Sequence, residues 1–223
     1  MTRLTAKVAG IVIESFFQEA RPFSREYLTN LSVKALSSLS KYGVTPEGIS
    51  LLRPEAFFGY EFGFPLFTGS GVFKLTAQTV NLVFNNIQNQ ADLDVVLQAI
   101  NEIYGLLGST MFQEHALTLH AHMDFADAPD SKARSRFSDK SKQIEFLGVL
   151  AHLKVSEWDD PIRLTIDKSL FLPDGIFASL SSKYRGSINS EVLMRGNKAV
   201  EAAFKAFDLW YNPEPKEPSK QPV

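Results

Sequence analysis

The sequence contains no cysteine. Disulfides, thiolate zinc sites, iron–sulfur clusters and cysteine nucleophiles are thereby excluded. It also lacks any apolar run near the ~18 residues that mark a membrane-spanning helix. The opening Met1-Thr2-Arg3-Leu4-Thr5-Ala6-Lys7 does not have the charged, apolar and small-residue order of a signal peptide. The expected location is therefore cytoplasmic, with no membrane partner. Charge of one sign is missing too: 23 Lys and Arg against 25 Asp and Glu leave a net charge of −2. That balance argues against a basic surface spread over the whole domain, as a general nucleic-acid binder would carry. There is no glycine-rich phosphate loop and no Gly-x-Ser-x-Gly elbow, and Asp159-Asp160 before Pro161 reads as a turn. No cofactor is implied, and the chain leans away from catalysis.

What is present is an ordinary globular body: 223 residues, 44% hydrophobic and 22% charged, enough to bury a core. The 18 phenylalanines are a surplus, suited to aromatic core packing and to partner contact. Residues 4–17 read as a buried strand, apolar on both faces near its centre. Ser24 can cap a helix that carries Leu28, Leu31, Ala35 and Leu39 on one face and stops at Gly43. Phe58, Tyr60, Phe62 and Phe64 then alternate along a strand, and Gly69-Ser70-Gly71 forms a turn. Phe73, Leu75 and Ala77 are out of phase with Val80, Leu82 and Phe84, which demands a turn or bulge near Gln78 and Thr79. Leu93, Val96, Leu97, Ile100, Ile103, Tyr104 and Leu107 mark a second helix, capped by Asn89 or Asp92 and ended by Gly108.

From His115 strands resume, with Leu117, Leu119, Ala121, Met123 and Phe125 on one face. Residues 126–143 read as a basic surface loop or a short irregular helix, 144–156 as a strand, and Pro161 opens another. Leu172-Pro173-Asp174-Gly175 makes a hairpin turn into a strand ending at Tyr184. A last helix is expected from Ser190 to Tyr211, packing through Ala199, Val200, Ala203, Phe204, Phe207 and Trp210. A proline-rich tail follows over 212–223.

The fold class is therefore α+β: a mostly antiparallel sheet with helices packed on one face. Residues 1–211 form one domain. Its two parts, 1–110 and 111–211, read as pseudo-repeats of a β-α-β-β-β-α unit in which a loop replaces the first helix of the second copy. Two such repeats resemble the saddle of TATA-binding-protein-like folds, a likeness of fold that carries no function.

Three stretches carry chemistry. His120, His122 and Asp124 alternate along one strand and share a face, a donor set suited to a transition metal. The run resembles the start of the His-x-His-x-Asp-His signature of metallo-β-lactamase-like hydrolases, but Phe125 stands where the last histidine belongs, so the chain is not placed there. By parity His115 is on the opposite face. If the neighbouring strands pair, His152, Lys154 and Arg163 join the polar face, which a solvated sheet explains equally well. Finally, Lys132, Arg134, Arg136, Phe137, Lys140 and Lys142 interleave cations with an aromatic ring, as phosphate contact and base stacking would use. The leading expectation is a non-catalytic binding or assembly protein that holds a protein partner or a copy of itself. The alternatives are a nucleic-acid accessory factor acting through 132–142, and a metal-dependent enzyme centred on His120, His122 and Asp124.

Overall fold

A strand that is apolar on both faces belongs in the middle of a sheet, and the first strand is there. The computed structural model describes residues 2–52, 60–108, 112–125, 149–154, 161–172, 175–185 and 209–212, with the single positions 198, 202 and 205. Strand β1 (Thr2–Phe17) pairs antiparallel along one edge with β6 (Phe112–Phe125), from Leu4 opposite Phe125 to Phe17 opposite Phe112. Its other edge is shared. There β5 (Thr79–Ile87) runs antiparallel against Ala9 to Phe16, and β10 (Leu209–Asn212) runs parallel against Thr2 to Thr5.

Beyond β5 lie β4 (Gly71–Leu75), β3 (Glu61–Leu66) and β2 (Ser50–Leu52); beyond β6 lie β9 (Ile176–Tyr184), β8 (Ile162–Lys168) and β7 (Val149–Leu153). The order is β2-β3-β4-β5-β1-β6-β9-β8-β7. All these neighbours pair antiparallel, and among the described strands only β10 pairs parallel. The fold is α+β. Read outward from the centre, the strand order is mirrored: β1-β5-β4-β3-β2 on one side and β6-β9-β8-β7 on the other.

Among the described residues, helices α1 and α2 cover one face. In α1 (Arg25–Leu39) the Ser24 hydroxyl accepts the Tyr27 amide at 3.1 Å, and Leu28, Leu31, Ala35 and Leu39 are buried. A short 3-10 turn, Ser40–Tyr42, leads to Gly43 at φ 85°, the left-handed stop that only glycine adopts without strain. In α2 (Gln90–Leu107) both candidate caps act. Asn89 Oδ1 accepts the Asp92 amide at 2.9 Å, and Asp92 Oδ2 accepts the Gln88 amide at 3.0 Å. Beneath the helices Phe62, Phe64, Phe73 and Phe84 are buried with Ile11, Ile13, Leu82 and Ile100. Phe64 stacks on Phe73 with ring centroids 4.6 Å apart, and Phe62 meets both edge-on. With Phe17 and Phe84, these rings place five of the 18 phenylalanines in the core among the described residues. The phase shift after Leu75 is a tight turn in which the Thr76 amide donates to the Thr79 carbonyl at 2.9 Å.

One expectation needs correction. The last helix does not reach Tyr211: Leu209-Trp210-Tyr211-Asn212 is strand, with Trp210 opposite Arg3. Helical backbone is described at Lys198, Ala202 and Lys205, a spacing that keeps one face, and all three are exposed. The run Leu-Trp-Tyr has high strand preference, and β1 offers it an edge before β5 begins. Asn212 closes this strand, so the expected tail shrinks to 213–223. That tail lies outside the described residues, as do Phe58, the segment 126–148 and the packing positions Ala199, Val200, Ala203, Phe204 and Phe207. Among the described residues, no helix is long and apolar enough to cross a membrane.

Candidate functional site

Alternation along β1 and β6 separates two chemistries. Ile11, Ile13, Ser15 and Phe17 belong to the helix-covered face, as do Leu117 and His115. As parity required, His115 is turned inward. Its Nδ1 lies 2.7 Å from Ser15 Oγ, which also bonds the Tyr104 hydroxyl of α2 at 2.5 Å. Burial pushes the Tyr104 pKa up, so the phenol stays protonated. Ser15 and His115 are buried, which makes the trio a polar rivet between helix and sheet.

The opposite face carries Val8, Gly10, Val12 and Glu14 of β1. Cross-strand register extends it in both directions. Pro65, Val72, Val83 and Val12 fall opposite one another in turn across β3, β4, β5 and β1. The same row continues through Thr118, Ser181, Arg163 and His152 on β6, β9, β8 and β7. One line across the sheet is therefore apolar in its first half and polar in its second. Thr118 and Ser181 hydroxyls bond each other at 2.8 Å, and Arg163 and His152 are exposed neighbours. Lys154, just past β7, is exposed as well. Two ion pairs flank the row, Lys74 to Glu61 at 3.0 Å and Lys183 to Glu114 at 2.7 Å. No described helix packs on this face; both α1 and α2 bury their apolar residues in the core on the other side.

His120 and His122 lie one pleat away. The sequence placed them on one face, and Phe177 of β9 joins them there, its ring 6.0 Å from His120 and 5.0 Å from His122. His120 lies across Gly10 of β1: a Cβ at Gly10 would come within 2.3 Å of His120 Nε2 and 2.8 Å of the Phe84 carbonyl oxygen. That crowding occurs where the β1–β5 register slips between Ala9 and Ile11, with Asn86 left-handed at φ 64°. The glycine leaves the imidazole its space. Burial lowers the pKa of both histidines, and the charge of His122 lowers that of His120 further. Among the described residues, no group of three His, Asp or Glu side chains is arranged to hold a metal ion; His122 Nδ1 instead bonds Ser169 Oγ at 2.9 Å. Lys132, Arg134, Arg136, Phe137, Lys140 and Lys142 lie outside the described residues.

Sequence reading missed four participants: Gly10, Phe177, Ser169 and Phe171. Ser169 opens the hairpin between β8 and β9, and Phe171 sits edge-on to His122 at 4.6 Å. Leu170 is 96% and Phe171 76% exposed. The signal was an apolar pair inside a turn, Ser169-Leu170-Phe171, where polar residues are usual. Comparison of the chain with protein-family models and with curated proteins gives no match.

Proposed function

We infer that this protein is a non-catalytic binding or assembly module that holds a protein partner on the face of its sheet away from the helices. The observation that carries the reading is the row Pro65, Val72, Val83, Val12: four apolar residues in register at the middle of a face that no described helix covers. An apolar centre bordered by ion pairs and by the polar second half has the anatomy of a protein interface, dry in the middle and polar at the rim. Exposed Leu170 and Phe171 add apolar surface at the end of the β8–β9 hairpin. His120 and His122, both held toward the neutral form by burial, add no charge beside Phe177.

The test is a double substitution, Val72→Lys with Val83→Lys, in the full chain. Both positions are half-buried on the face away from the core, so unfolding midpoints should move little. Proteins that co-purify with the wild-type chain, or its own self-association by light scattering, should be lost. Retention of the same partners and the same mass by the folded variant would remove this face from consideration.

A further inference from the structure

The hydroxyl of Ser169 is unusually committed. It lies 3.1 Å from the Phe171 amide and 2.9 Å from the Leu172 amide, both of which donate to it, and 2.9 Å from His122 Nδ1. A serine oxygen has two lone pairs and one proton. The two amides use the lone pairs, so the proton points at His122 Nδ1, which must accept it. The geometry thus fixes His122 as neutral, with its own proton on Nε2. Ser169 is 4% exposed, so water cannot readily replace any of these partners. The same hairpin is closed at its base by the Ser169 amide donating to the Gly175 carbonyl and the Gly175 amide to the Leu172 carbonyl. Its tip is tied to the sheet through His122: Leu170 stands in solvent, and Phe171 touches the body at the His122 ring.

Protonation breaks this arrangement. An imidazolium presents N–H at Nδ1, aimed at an oxygen whose lone pairs are both occupied. Either the hydroxyl turns and gives up an amide, or the ring leaves Ser169. We propose that His122 is a proton-operated latch: neutral, it clasps Ser169 and holds Phe171 against its own ring on the open sheet face; protonated, it releases that contact.

The surroundings set the direction. On its own strand His120 and Asp124 share the face; across β1 stands Val8, with exposed Lys7 at the adjacent bulge; across β9 stands Phe177, with Asp167 of β8 beyond it. Burial lowers the His122 pKa below the ordinary 6.5. A histidine whose pKa is lower in the closed form stabilises that form above 6.5 and ceases to do so as pH falls through the closed-form value. The ratio of open to closed hairpin therefore rises about tenfold for each pH unit below 6.5, until the closed form itself titrates. The device deepens the binding reading, because it regulates apolar surface on the same face, but its test needs no partner.

Amide exchange at Phe171 and Leu172, measured by NMR on the full chain and corrected for intrinsic rates, reads the latch directly. Both amides should be protected at pH 8 and lose protection on going to pH 5, with a midpoint that follows the His122 ring resonances rather than those of His115, His120 or His152. His122→Phe should keep the ring packing and abolish the pH response. Ser169→Ala, with no ring change, should leave both amides exchanging fast at every pH. The proposal is overturned if protection is unchanged while His122 titrates, if His122 titrates at or above 6.5, or if either variant responds to pH as the wild type does. Loss of partner binding in the Val72 and Val83 variant has no bearing on these readouts, so the two ideas fail separately.

Discussion

The two sides of the β1–β6 seam run in mirrored strand order, β2 having no counterpart beyond β7 among the described strands, and carry different side chains. On the β5 side the core is aromatic, with Phe64 stacked on Phe73 and Phe62 edge-on to both. On the β9 side the buried hydrophobics among the described residues are aliphatic: Met123, Ile162, Leu164, Ile166, Ile176 and Leu180. The outer face differs as well: the row through β5 is apolar, Pro65, Val72, Val83 and Val12, while β6 and β9 carry hydroxyls and histidines. The lesson is that strand order constrains which positions are inside, while the choice of apolar residue is free as long as volume is filled. Function can therefore diverge between the halves without disturbing the frame they share.

The two cores are where that comparison should break with the greatest effect. Phe73→Ala removes the central ring of the stack and should cost about 3–5 kcal/mol, whereas Leu180→Ala in the other half should cost about 2–5 kcal/mol. Urea unfolding followed by tryptophan fluorescence and by far-UV circular dichroism checks both. Each variant should lower one coincident transition, because β1 and β6 pair along nearly their whole length. Two separated transitions would mean that the halves melt as independent units. Next in size is the rivet at the seam. Ser15→Ala leaves His115 Nδ1 and the Tyr104 hydroxyl buried without their common partner, at a cost of about 1–3 kcal/mol. A double-mutant cycle with Tyr104→Phe should recover part of that loss, since the second change removes one orphaned group. The smallest effect is on the outer face, where each half carries an exposed ion pair. Lys74→Met and Lys183→Met each cut one exposed ion pair, and each should shift stability by less than about 1 kcal/mol. A large loss from one and not the other would show that the two outer faces differ in more than composition.

Legibility in the sequence followed the range of the interaction that decided each element. Both helices and their caps were readable because Ser24, Asn89 and Asp92 act within one turn. The face of His115 was readable because strand parity is local. The second-half strands and the hairpin before Gly175 were marked by composition alone. Four things were not readable. Leu209–Asn212 became strand because of an edge supplied by Thr2–Thr5, at the far end of the chain. Gly10 matters because His120 and the Phe84 carbonyl approach it from two different strands. Ser15 and Tyr104 meet only when α2 is laid over β1. The tie between His122 and Ser169 needs β6, β9 and β8 to be adjacent. His120 and His122 were correctly placed on one face, but the ring between them, Phe177, belongs to a neighbour that register alone selects.

The central position of β1 has a consequence for how the chain is made. Synthesised before every strand it touches, β1 has no partner on either edge when it first emerges. Ile11 must wait for Phe84 on one side and for Leu119 on the other, and Thr2 for Leu209. At roughly 5–20 residues per second, the last of these arrives on the order of ten seconds or more after the first. Until β5 is made, an apolar strand with two open edges is available to any other chain nearby. The finished molecule pairs both edges of β1, and synthesis leaves them open before any of their partners exist.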